Sequence, residues 1–316
     1  MRIVFFGSPA AALPSFEALL AARHDVALVV TQPDKPAGRG RRLTPSPVKA
    51  MADGKGIPVI EPARIRTDAA AAERIRAAAA DVHVVVAYGQ IIPRDVHFPP
   101  CHHSLNVHFS LLPKYRGAAP VQWTVLNGDD ESGVTVIELN DRMDEGDVLA
   151  QERVPVGRRE TASALEARLA LLGARLLVDT LSRIDQVPHL PQVHALSTLA
   201  PKIKKEDGRI AWTNTAAAID RQVLALADRP GVFSFIKGRR VNILRGRVSE
   251  LPESRLPEAA SPPGAVASVG KVGFTVICGG ETAYLIEELQ PEGKAPMPAY
   301  AFSLGTRIAP GDILGF

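Results

Sequence analysis

The sequence is poor in the features that mark secreted, membrane-spanning and disulfide-rich proteins. Its 316 residues include only two cysteines, Cys101 and Cys278, which are too few and too far apart for a disulfide framework and fit a reducing compartment. The first apolar run, residues 3–6, ends at Gly7 and is too short for a signal peptide. No stretch approaches the ~18 apolar residues that a membrane-spanning helix needs. These absences predict a cytoplasmic protein with no membrane segment.

Neither sign of charge dominates the chain. The 37 Lys and Arg residues against 34 Asp and Glu residues give a net charge of only +3, so the whole chain is not an obvious nucleic-acid binder. Residues 201–316 carry 15 basic and 12 acidic residues and therefore hold the entire excess of three. This imbalance is a weak electrostatic indication that the C-terminal third binds a polyanionic partner.

Length and hydrophobic content predict two domains. The chain is 46% hydrophobic, enough to bury one sizeable core and a smaller second one. Up to about residue 182, apolar runs alternate with segments of helical periodicity, which indicates an α/β domain built on a parallel sheet covered on both faces. Strands are expected at residues 2–7, 25–31, 57–60, 83–87, 104–108 and 133–139, and helices at 10–22, 48–55, 69–80 and 161–182. In such sheets sites lie at the carboxyl ends of the strands, here after Phe6, Val30, Ala87, His108 and Leu139.

The pattern changes after residue 183. Pro188, Pro191 and Pro201 interrupt a segment without strong periodicity, which is typical of a linker. Beyond about residue 206, a helix at 215–227 precedes five short β-like runs separated by Gly and Pro, and this arrangement predicts a small antiparallel barrel. The five runs are residues 232–236, 240–248, 264–269, 272–277 and 282–289.

The segment 104–120 carries the densest set of candidate catalytic residues. Asn106 and His108 lie two apart on a predicted strand, so their side chains share one face. An Asn amide can stabilise an oxyanion, and a His can move a proton near neutral pH. The small-residue run at 117–120 would let a flat ligand approach the backbone. The alternative is a strand end with two polar residues that are satisfied by neighbours.

Two loops add charged groups. The acidic segment 140–147 follows the strand at 133–139, which would place it at the same sheet edge, where a carboxylate could hold the histidine. An acidic surface turn is the alternative. The segment 32–42 has four basic residues against one acidic residue and could reach phosphates or a groove in RNA; otherwise it is a solvated loop.

Other site patterns are missing from the sequence. Cys101, His102 and His103 are adjacent, unlike the spaced ligands of zinc sites. Gly7-Ser8-Pro9 is not a G-x-G-x-x-G turn, and no G-x-x-x-x-G-K-[ST] loop occurs, which disfavours dinucleotide and P-loop nucleotide sites. Ser110 has no G-x-S-x-G context, so a hydrolase nucleophile is not indicated.

These segments together resemble a known family. Asn106, His108, Ser-Leu-Leu-Pro at 110–113, Arg116-Gly117 and Asp144 resemble the catalytic core of the folate-dependent formyltransferases. The segments 31–49, 201–212 and 289–298 are similar to the methionyl-tRNA formyltransferase branch of that family. The match departs from the family pattern at Phe109, Asn140, Arg142, Glu145 and residues 228–232.

The resemblance implies a fold and an activity. A Rossmann-like catalytic domain at residues 1–185, a linker at 186–205 and an OB-like tRNA-binding barrel at 206–316 are expected. The enzyme would act as a cytoplasmic monomer without a metal, and would transfer a formyl group from 10-formyltetrahydrofolate to methionyl initiator tRNA for translation initiation. An amino sugar nucleotide as acceptor, hydrolysis of the same folate, and a non-catalytic RNA-binding protein are the alternatives.

The resemblance also implies residue roles. Asn106, His108 and Asp144 would form the catalytic trio, in which Asn106 and protonated His108 stabilise the oxyanion while Asp144 keeps His108 oriented and charged. The folate-binding residues would be Tyr88, Gly89, Gln90, Ile91, Ile92, Ser110, Leu111, Leu112 and Pro113. The tRNA-binding residues would be Lys35, Arg39, Arg41, Arg42, Lys204 and Lys205.

Overall fold

The computed structural model describes residues 1–37, 42–251 and 261–315, which fall into two compact units. The first consists of Met1–Val121, Asp130–Val156 and Ala164–Pro201, and the second of Gln122–Asp129, Gly157–Ser163 and the chain from Lys202 onward. The expected linker at 186–205 is therefore divided, because its residues up to Pro201 pack with the first unit.

A seven-stranded sheet forms the centre of the first unit. Its strands are β1 (Arg2–Gly7), β2 (Asp25–Val30), β5 (Val59–Ile60), β6 (Val82–Val86), β7 (Ser104–His108), β8 (Glu131–Glu138) and β9 (Val148–Pro155). A separate hairpin pairs β3 (Lys35–Ala37) with β4 (Arg42–Thr44). The helices up to residue 182 are α1 (Leu13–Ala21), α2 (Pro47–Gly54), α3 (Ala69–Ala77), α4 (Arg94–His97), α5 (Pro120–Asn127) and α6 (Ala162–Ser182).

The strand order is β5-β2-β1-β6-β7-β8-β9, and every pair from β5 to β7 is parallel. The prediction of an α/β domain with a parallel sheet is confirmed, with two antiparallel strands added at one edge, since β8 pairs antiparallel with β7 and β9 with β8. The expectation that residues 140–147 leave the sheet at the same edge as His108 was wrong. Glu138, at the end of β8, lies opposite Leu105, near the start of β7.

The sheet is buried on both faces, as its apolar strands predict. Val4 and Phe6 of β1 point into one core, where Phe6 meets Tyr88 edge-on with ring centroids 5.6 Å apart. Phe5 points to the opposite face and stacks on Phe16 of α1 at 5.0 Å. None of these side chains is more than 1% exposed, and burial of each stabilises the fold by about 1.5–3 kcal/mol.

Local signals in the sequence set the helix ends. The Ser46 side chain accepts a hydrogen bond from the Lys49 amide at the start of α2, and Asp68 accepts one from the Ala71 amide at the start of α3. Both are N-caps, which satisfy amides that have no partner within the helix. Helix α3 ends at Ala77, before the predicted residue 80, because Ala79 adopts a left-handed conformation with φ 46°.

The second unit contains an antiparallel sheet in the order β10-β11-β14-β13-β12, with β15 paired to β14. Its elements are α7 (Ala216–Leu226), β10 (Val232–Ile236), β11 (Arg239–Ser249), β12 (Val266–Gly270), β13 (Gly273–Cys278), β14 (Thr282–Pro291), β15 (Met297–Pro298) and α8 (Ala299–Thr306). All five predicted strands are present.

Residues 312–315 connect the two edges of this sheet. The Gly315 amide donates to the Phe235 carbonyl in β10, and the Val266 amide of β12 donates to the Asp312 carbonyl, both at 2.8 Å. Between them, Leu314 is bridged to Ile236. One short segment therefore supplies hydrogen-bonding partners to both edge strands, which otherwise present unpaired backbone groups.

None of the helices that the structure describes has the length and apolar content that a membrane crossing requires.

Candidate active site

Strand β7 carries two polar side chains on one face, as predicted. Asn106 is partly buried and His108 is 7% exposed, and both face the same side because successive strand residues alternate. Phe109, the next residue, is buried and lies close to Gly173 of α6, where an added Cβ would be 3.4 Å from its ring. This bulky residue therefore packs against a helix that leaves room for it.

A backbone carbonyl fixes the orientation of His108. Its Nε2 lies 2.9 Å from the carbonyl oxygen of Tyr115, in the loop that follows β7. A carbonyl can only accept a hydrogen bond, so Nε2 carries the hydrogen and donates it. The second ring nitrogen, Nδ1, is the one that faces Asp144.

Asp144 comes from the turn between β8 and β9 and meets both β7 side chains. Its Oδ1 lies 3.4 Å from Asn106 Nδ2 and 3.8 Å from His108 Nδ1, and its Oδ2 accepts a 2.8 Å hydrogen bond from the Gly117 amide. The structure therefore brings Asn106, His108 and Asp144 together, although the acidic segment starts near the opposite end of β7.

The turn that presents Asp144 has an unusual backbone conformation at Asp144 and a close backbone contact at Gly146. Asp144 adopts the left-handed conformation with φ 56°, which Asp tolerates better than most residues. Gly146 passes so close to the Glu138 carbonyl that an added Cβ would lie 1.6 Å from the oxygen. Only glycine fits there, so Gly146 permits the close approach of the turn to the end of β8.

The arrangement suits acyl transfer. The Asn106 amide can donate to an oxygen that gains negative charge, and the His108 Nδ1 can exchange a proton beside it. The Asp144 carboxylate lies within ion-pair distance of a protonated imidazole. Together these three groups provide a donor, a proton carrier and a counter-charge around one point.

The segment 110–113 uses most of its polar groups internally. Ser110 is 1% exposed and its hydroxyl donates to the Lys114 carbonyl, while its own carbonyl accepts from the Thr135 hydroxyl. The Leu112 amide donates to the same hydroxyl, and its side chain is buried. A ligand would therefore meet mainly the half-buried side chains of Leu111 and Pro113.

The segment 88–92 has Ile91 as its one largely exposed hydrophobic side chain. Tyr88 is buried, its hydroxyl has no hydrogen-bond partner, and burial raises its pKa above the usual range. Gln90 is tied to the Ile65 amide and the Pro62 carbonyl. Ile91 remains 62% exposed, and Ile92 is buried.

The predicted basic residues are only partly described. Lys35, at the start of β3, donates to the Gln32 side chain, and Lys204 and Lys205 are exposed in the second unit. Arg39 and Arg41 lie outside the described residues, and so does the side chain of Arg42, whose backbone begins β4. Within the described ranges, no group of three or more His, Cys, Asp and Glu side chains could hold a metal ion.

Four site contacts come from groups for which the sequence predicted no such contact: the Tyr115 carbonyl, the Gly117 amide and the side chains of Arg116 and Gln192. The run at 117–120 was expected to let a ligand approach its backbone, whereas the Gly117 amide binds Asp144. The Arg116-Gly117 pair belongs to the motif that carried the resemblance, so the sequence marked its position without its function. Gln192 lies in the stretch expected to be a linker, and nothing in the sequence set it apart.

The chain matches two protein families in succession. Residues 1–181 match the family described as "Formyl transferase", and residues 202–307 match "Formyl transferase, C-terminal domain". Among solved structures, an N-formyltransferase from Helicobacter canadensis in complex with folinic acid and dTDP-3-aminofucose has a TM-score of 0.65 at 18% identity, covering 92% of this chain and 99% of that one. HypX from Aquifex aeolicus, in complex with tetrahydrofolic acid, has a TM-score of 0.64 at 18% identity, covering 96% of this chain. The chain spans about half of HypX, 47% of its length, and both likenesses concern the fold alone.

Relatives at higher identity match the whole chain. The methionyl-tRNA formyltransferase of Citrifermentans bemidjiense is 40% identical over 317 aligned residues, covering 100% of this chain and 96% of that protein. The enzyme of the same name from Moorella thermoacetica is 41% identical, covering 100% of this chain and 99% of that protein. The chain belongs to the formyl transferase family and, within it, to the methionyl-tRNA formyltransferases.

Proposed function

We propose that this protein transfers the formyl group of 10-formyltetrahydrofolate to the amino group of methionyl initiator tRNA. One observation carries the proposal: Asn106, His108 and Asp144 converge within 3.8 Å in a chain about 40% identical to enzymes of that name over its whole length. A binding protein without chemistry would not need this trio, which argues against the RNA-binding alternative.

The reaction begins when the neutral methionyl amine attacks the formyl carbon and forms a carbon–nitrogen bond. The carbonyl electrons move to oxygen and give a tetrahedral oxyanion, which the Asn106 amide can stabilise as a hydrogen-bond donor. When the intermediate collapses, the bond from the formyl carbon to folate nitrogen N10 breaks. The amine proton passes to that nitrogen, so the products are formylmethionyl-tRNA and tetrahydrofolate.

His108 acts through Nδ1 in this scheme. Because Nε2–H is bound to the Tyr115 carbonyl, Nδ1 is the atom that can take up the amine proton and deliver it to the leaving nitrogen. A proton on Nδ1 makes the ring cationic, and Asp144 Oδ1, at 3.8 Å, stabilises that charge. The Tyr115 carbonyl thus orients the ring, a role that the resemblance implied for Asp144, while Asp144 supplies the counter-charge.

We propose that the backbone of residues 88–92, with Leu111 and Pro113, binds the pterin end of the folate. The backbone amide and carbonyl groups of such a segment can pair with a flat heterocycle, and the exposed apolar side chain of Ile91 can cover its face. Ser110 and Leu112 would support this surface without binding the ligand, since the Ser110 hydroxyl and the Leu112 amide already form hydrogen bonds within the protein.

We propose that the segment around Lys35, Arg39, Arg41 and Arg42 and the basic residues Lys204 and Lys205 contact the acceptor arm of the tRNA. Contacts of this kind go mainly to phosphates, so binding should weaken steeply as salt rises. The protein is further proposed to act as a cytoplasmic monomer. The proposed scheme assigns no step to a metal, since an amide donor and an imidazole supply the charge stabilisation and the proton transfer.

The test is formyl transfer from 10-formyltetrahydrofolate to methionylated initiator and elongator tRNA, side by side. Transfer to the initiator alone supports the proposal. An amino-sugar nucleotide is offered in a parallel reaction, and formate release without any acceptor is measured. Formylation of the sugar, or formate release that tRNA does not suppress, would contradict the proposed acceptor.

A further inference from the structure

Gln192 is buried against the turn that carries Asp144 and uses its full hydrogen-bonding capacity. It is 7% exposed and lies in the first unit, in the stretch that leads from α6 to Pro201. Its Nε2 donates to the Asp144 carbonyl at 2.9 Å and to the Gly146 carbonyl at 2.8 Å. These carbonyls belong to the left-handed turn that presents the Asp144 carboxylate.

Arg116 holds the other end of the Gln192 amide. Its Nε and Nη2 donate to Gln192 Oε1 at 3.1 and 2.7 Å, and its Nη1 lies 3.1 Å from the carboxylate of Glu145. Arg116 is only 4% exposed, so these partners compensate the loss of water around its buried guanidinium. The two donor bonds of the glutamine and the two bonds it accepts also fix which amide atom is nitrogen and which is oxygen.

The contacts close into a ring around Asp144. The next residue after Asp144 pairs with Arg116, Arg116 binds Gln192, and Gln192 returns to the Asp144 carbonyl. Arg116 also precedes Gly117, whose amide binds Asp144 Oδ2. A non-glycine residue in the left-handed region is strained and persists only where its surroundings hold it.

We propose that Gln192 is a positioning residue for the transfer reaction. It holds the strained turn so that the Asp144 carboxylate stays within reach of His108 and Asn106, and it acts only through Asp144. The stretch expected to be a linker would thereby contribute to catalysis without touching either substrate. This inference rests on the proposed function, since its main readout is formyl transfer.

The test is a double-mutant cycle with Asp144. Gln192→Met keeps the side-chain length and removes all four hydrogen bonds, whereas Gln192→Glu keeps the acceptor for Arg116 and removes both donors. Each is measured in the wild-type and in the Asp144→Ala background. In the wild-type background we expect kcat to fall about a hundredfold for both variants, because the Asp144 carboxylate is misplaced by about 1 Å. The KM for folate and for tRNA should stay unchanged. In the Asp144→Ala background the same substitutions should have no further effect.

Gln186→Met is the matched control, since Gln186 is exposed on the same stretch and should keep full activity. An equal loss in both backgrounds would identify a purely structural role and overturn the inference, and so would full activity of Gln192→Glu. A crystal structure of Gln192→Met provides a readout besides activity. The inference expects the Asp144 carboxylate to leave the Gly117 amide, and a carboxylate that stays in place would overturn it. Wild-type protein that transfers no formyl group contradicts the proposed function instead, and leaves this structural readout to decide the role of Gln192.

Discussion

The His108 imidazole donates its Nε2 hydrogen to the Tyr115 carbonyl across 2.9 Å. This bond decides which nitrogen is available for chemistry, since a donor tied to a buried carbonyl does not exchange its proton with a substrate. It also holds the ring plane before any substrate binds, which lowers the entropic cost of reaching the reactive geometry.

Loss of the Asn106 or the His108 side chain should affect catalysis rather than tRNA binding. We expect His108→Ala and Asn106→Ala each to lower kcat by roughly a hundred- to a thousandfold, the usual cost of removing an oxyanion donor or a proton carrier. Affinity for methionyl-tRNA, measured by filter binding, should stay unchanged. His102→Ala is the control, because His102 lies before β7 and is not part of the trio. A His108→Ala enzyme with near-normal kcat would rule out the assigned role.

Replacement of Gly89 should weaken folate binding. It has φ 78°, and an added Cβ would lie 2.5 Å from Gln32 Nε2, which donates to the Tyr88 carbonyl at 2.7 Å. Gly89→Ala should therefore displace Gln32, disturb the segment and raise the KM for folate severalfold, while the KM for tRNA stays the same. Gly56→Ala is the matched control, since Gly56 has φ 68° and open space around it.

Both variants place an alanine in the left-handed region at a cost of about 1 kcal/mol. Gly89→Ala should lose more stability than Gly56→Ala, because it also displaces Gln32. Only Gly89→Ala should change the kinetics. Equal folate KM values for the two variants would argue against residues 88–92 as the folate-binding segment.

The buried His83 should make stability depend on pH. Burial, with a smaller contribution from His97, lowers its pKa from 6.5 to about 4. The folded state therefore favours the neutral His83 ring. The contribution of the neutral ring to the free energy of unfolding is complete above pH 6.5 and is lost as pH falls from 6.5 through 4. We expect the free energy of unfolding to drop by up to about 3 kcal/mol over that range.

His83→Asn tests this expectation, because the asparagine amide can keep the hydrogen bond toward the Ser104 hydroxyl, which lies 3.3 Å from His83 Nδ1, but cannot titrate. Urea unfolding at pH 7.5, 5.5 and 4.5 should give a smaller difference for the variant than for the wild type. The same slope in both proteins would assign the acid sensitivity to other groups.

The segment 312–315 should be an essential part of the second unit. Leu314 is 1% exposed, whereas its neighbour Ile313 is 42% exposed on the other side of the same backbone. Leu314→Ala should lower the free energy of unfolding by about 2–5 kcal/mol, the usual cost of truncating a buried leucine. Ile313→Ala should cost less than 1 kcal/mol, and thermal unfolding of the two variants measures the difference. Equal costs would show that the segment contributes only its backbone hydrogen bonds.

Local patterns in the sequence were sufficient to predict most of the elements. Five β-like runs after residue 230 and the apolar strands before residue 110 all form strands, because burial and β-branching act on each segment separately. The direction of β8 was not predictable, since an apolar run reads the same in a parallel and an antiparallel pair. Strand β9 was missed because its residues alternate between exposed and buried and include charged Glu152 and Arg153, as an edge strand allows.

The candidate site was predictable where its residues lie close in sequence. Asn106 and His108 share one strand, so their common face followed from the period of two. The hydrogen bonds of Gln192 to Asp144 and Gly146 join residues 48 and 46 positions apart. No local pattern encodes such contacts, since a glutamine with a structural role has the same chemistry as one on the surface.

The turn that presents Asp144 starts and finishes at one place in the sheet. The Leu139 amide donates to the Ser104 carbonyl, and the Glu138 amide donates to the Asp147 carbonyl, so both ends of the segment are anchored near the start of β7. The number of residues between these anchors sets how far the carboxylate extends along the strand. Because the segment extends and returns, removing one residue would shorten its reach by about half of the ~3.3 Å rise of an extended residue. That loss is a large share of the 3.4 and 3.8 Å that separate Asp144 from Asn106 and His108. Insertions and deletions between residues 139 and 147 should therefore abolish activity while the fold survives, in contrast to the tolerance usual for surface turns.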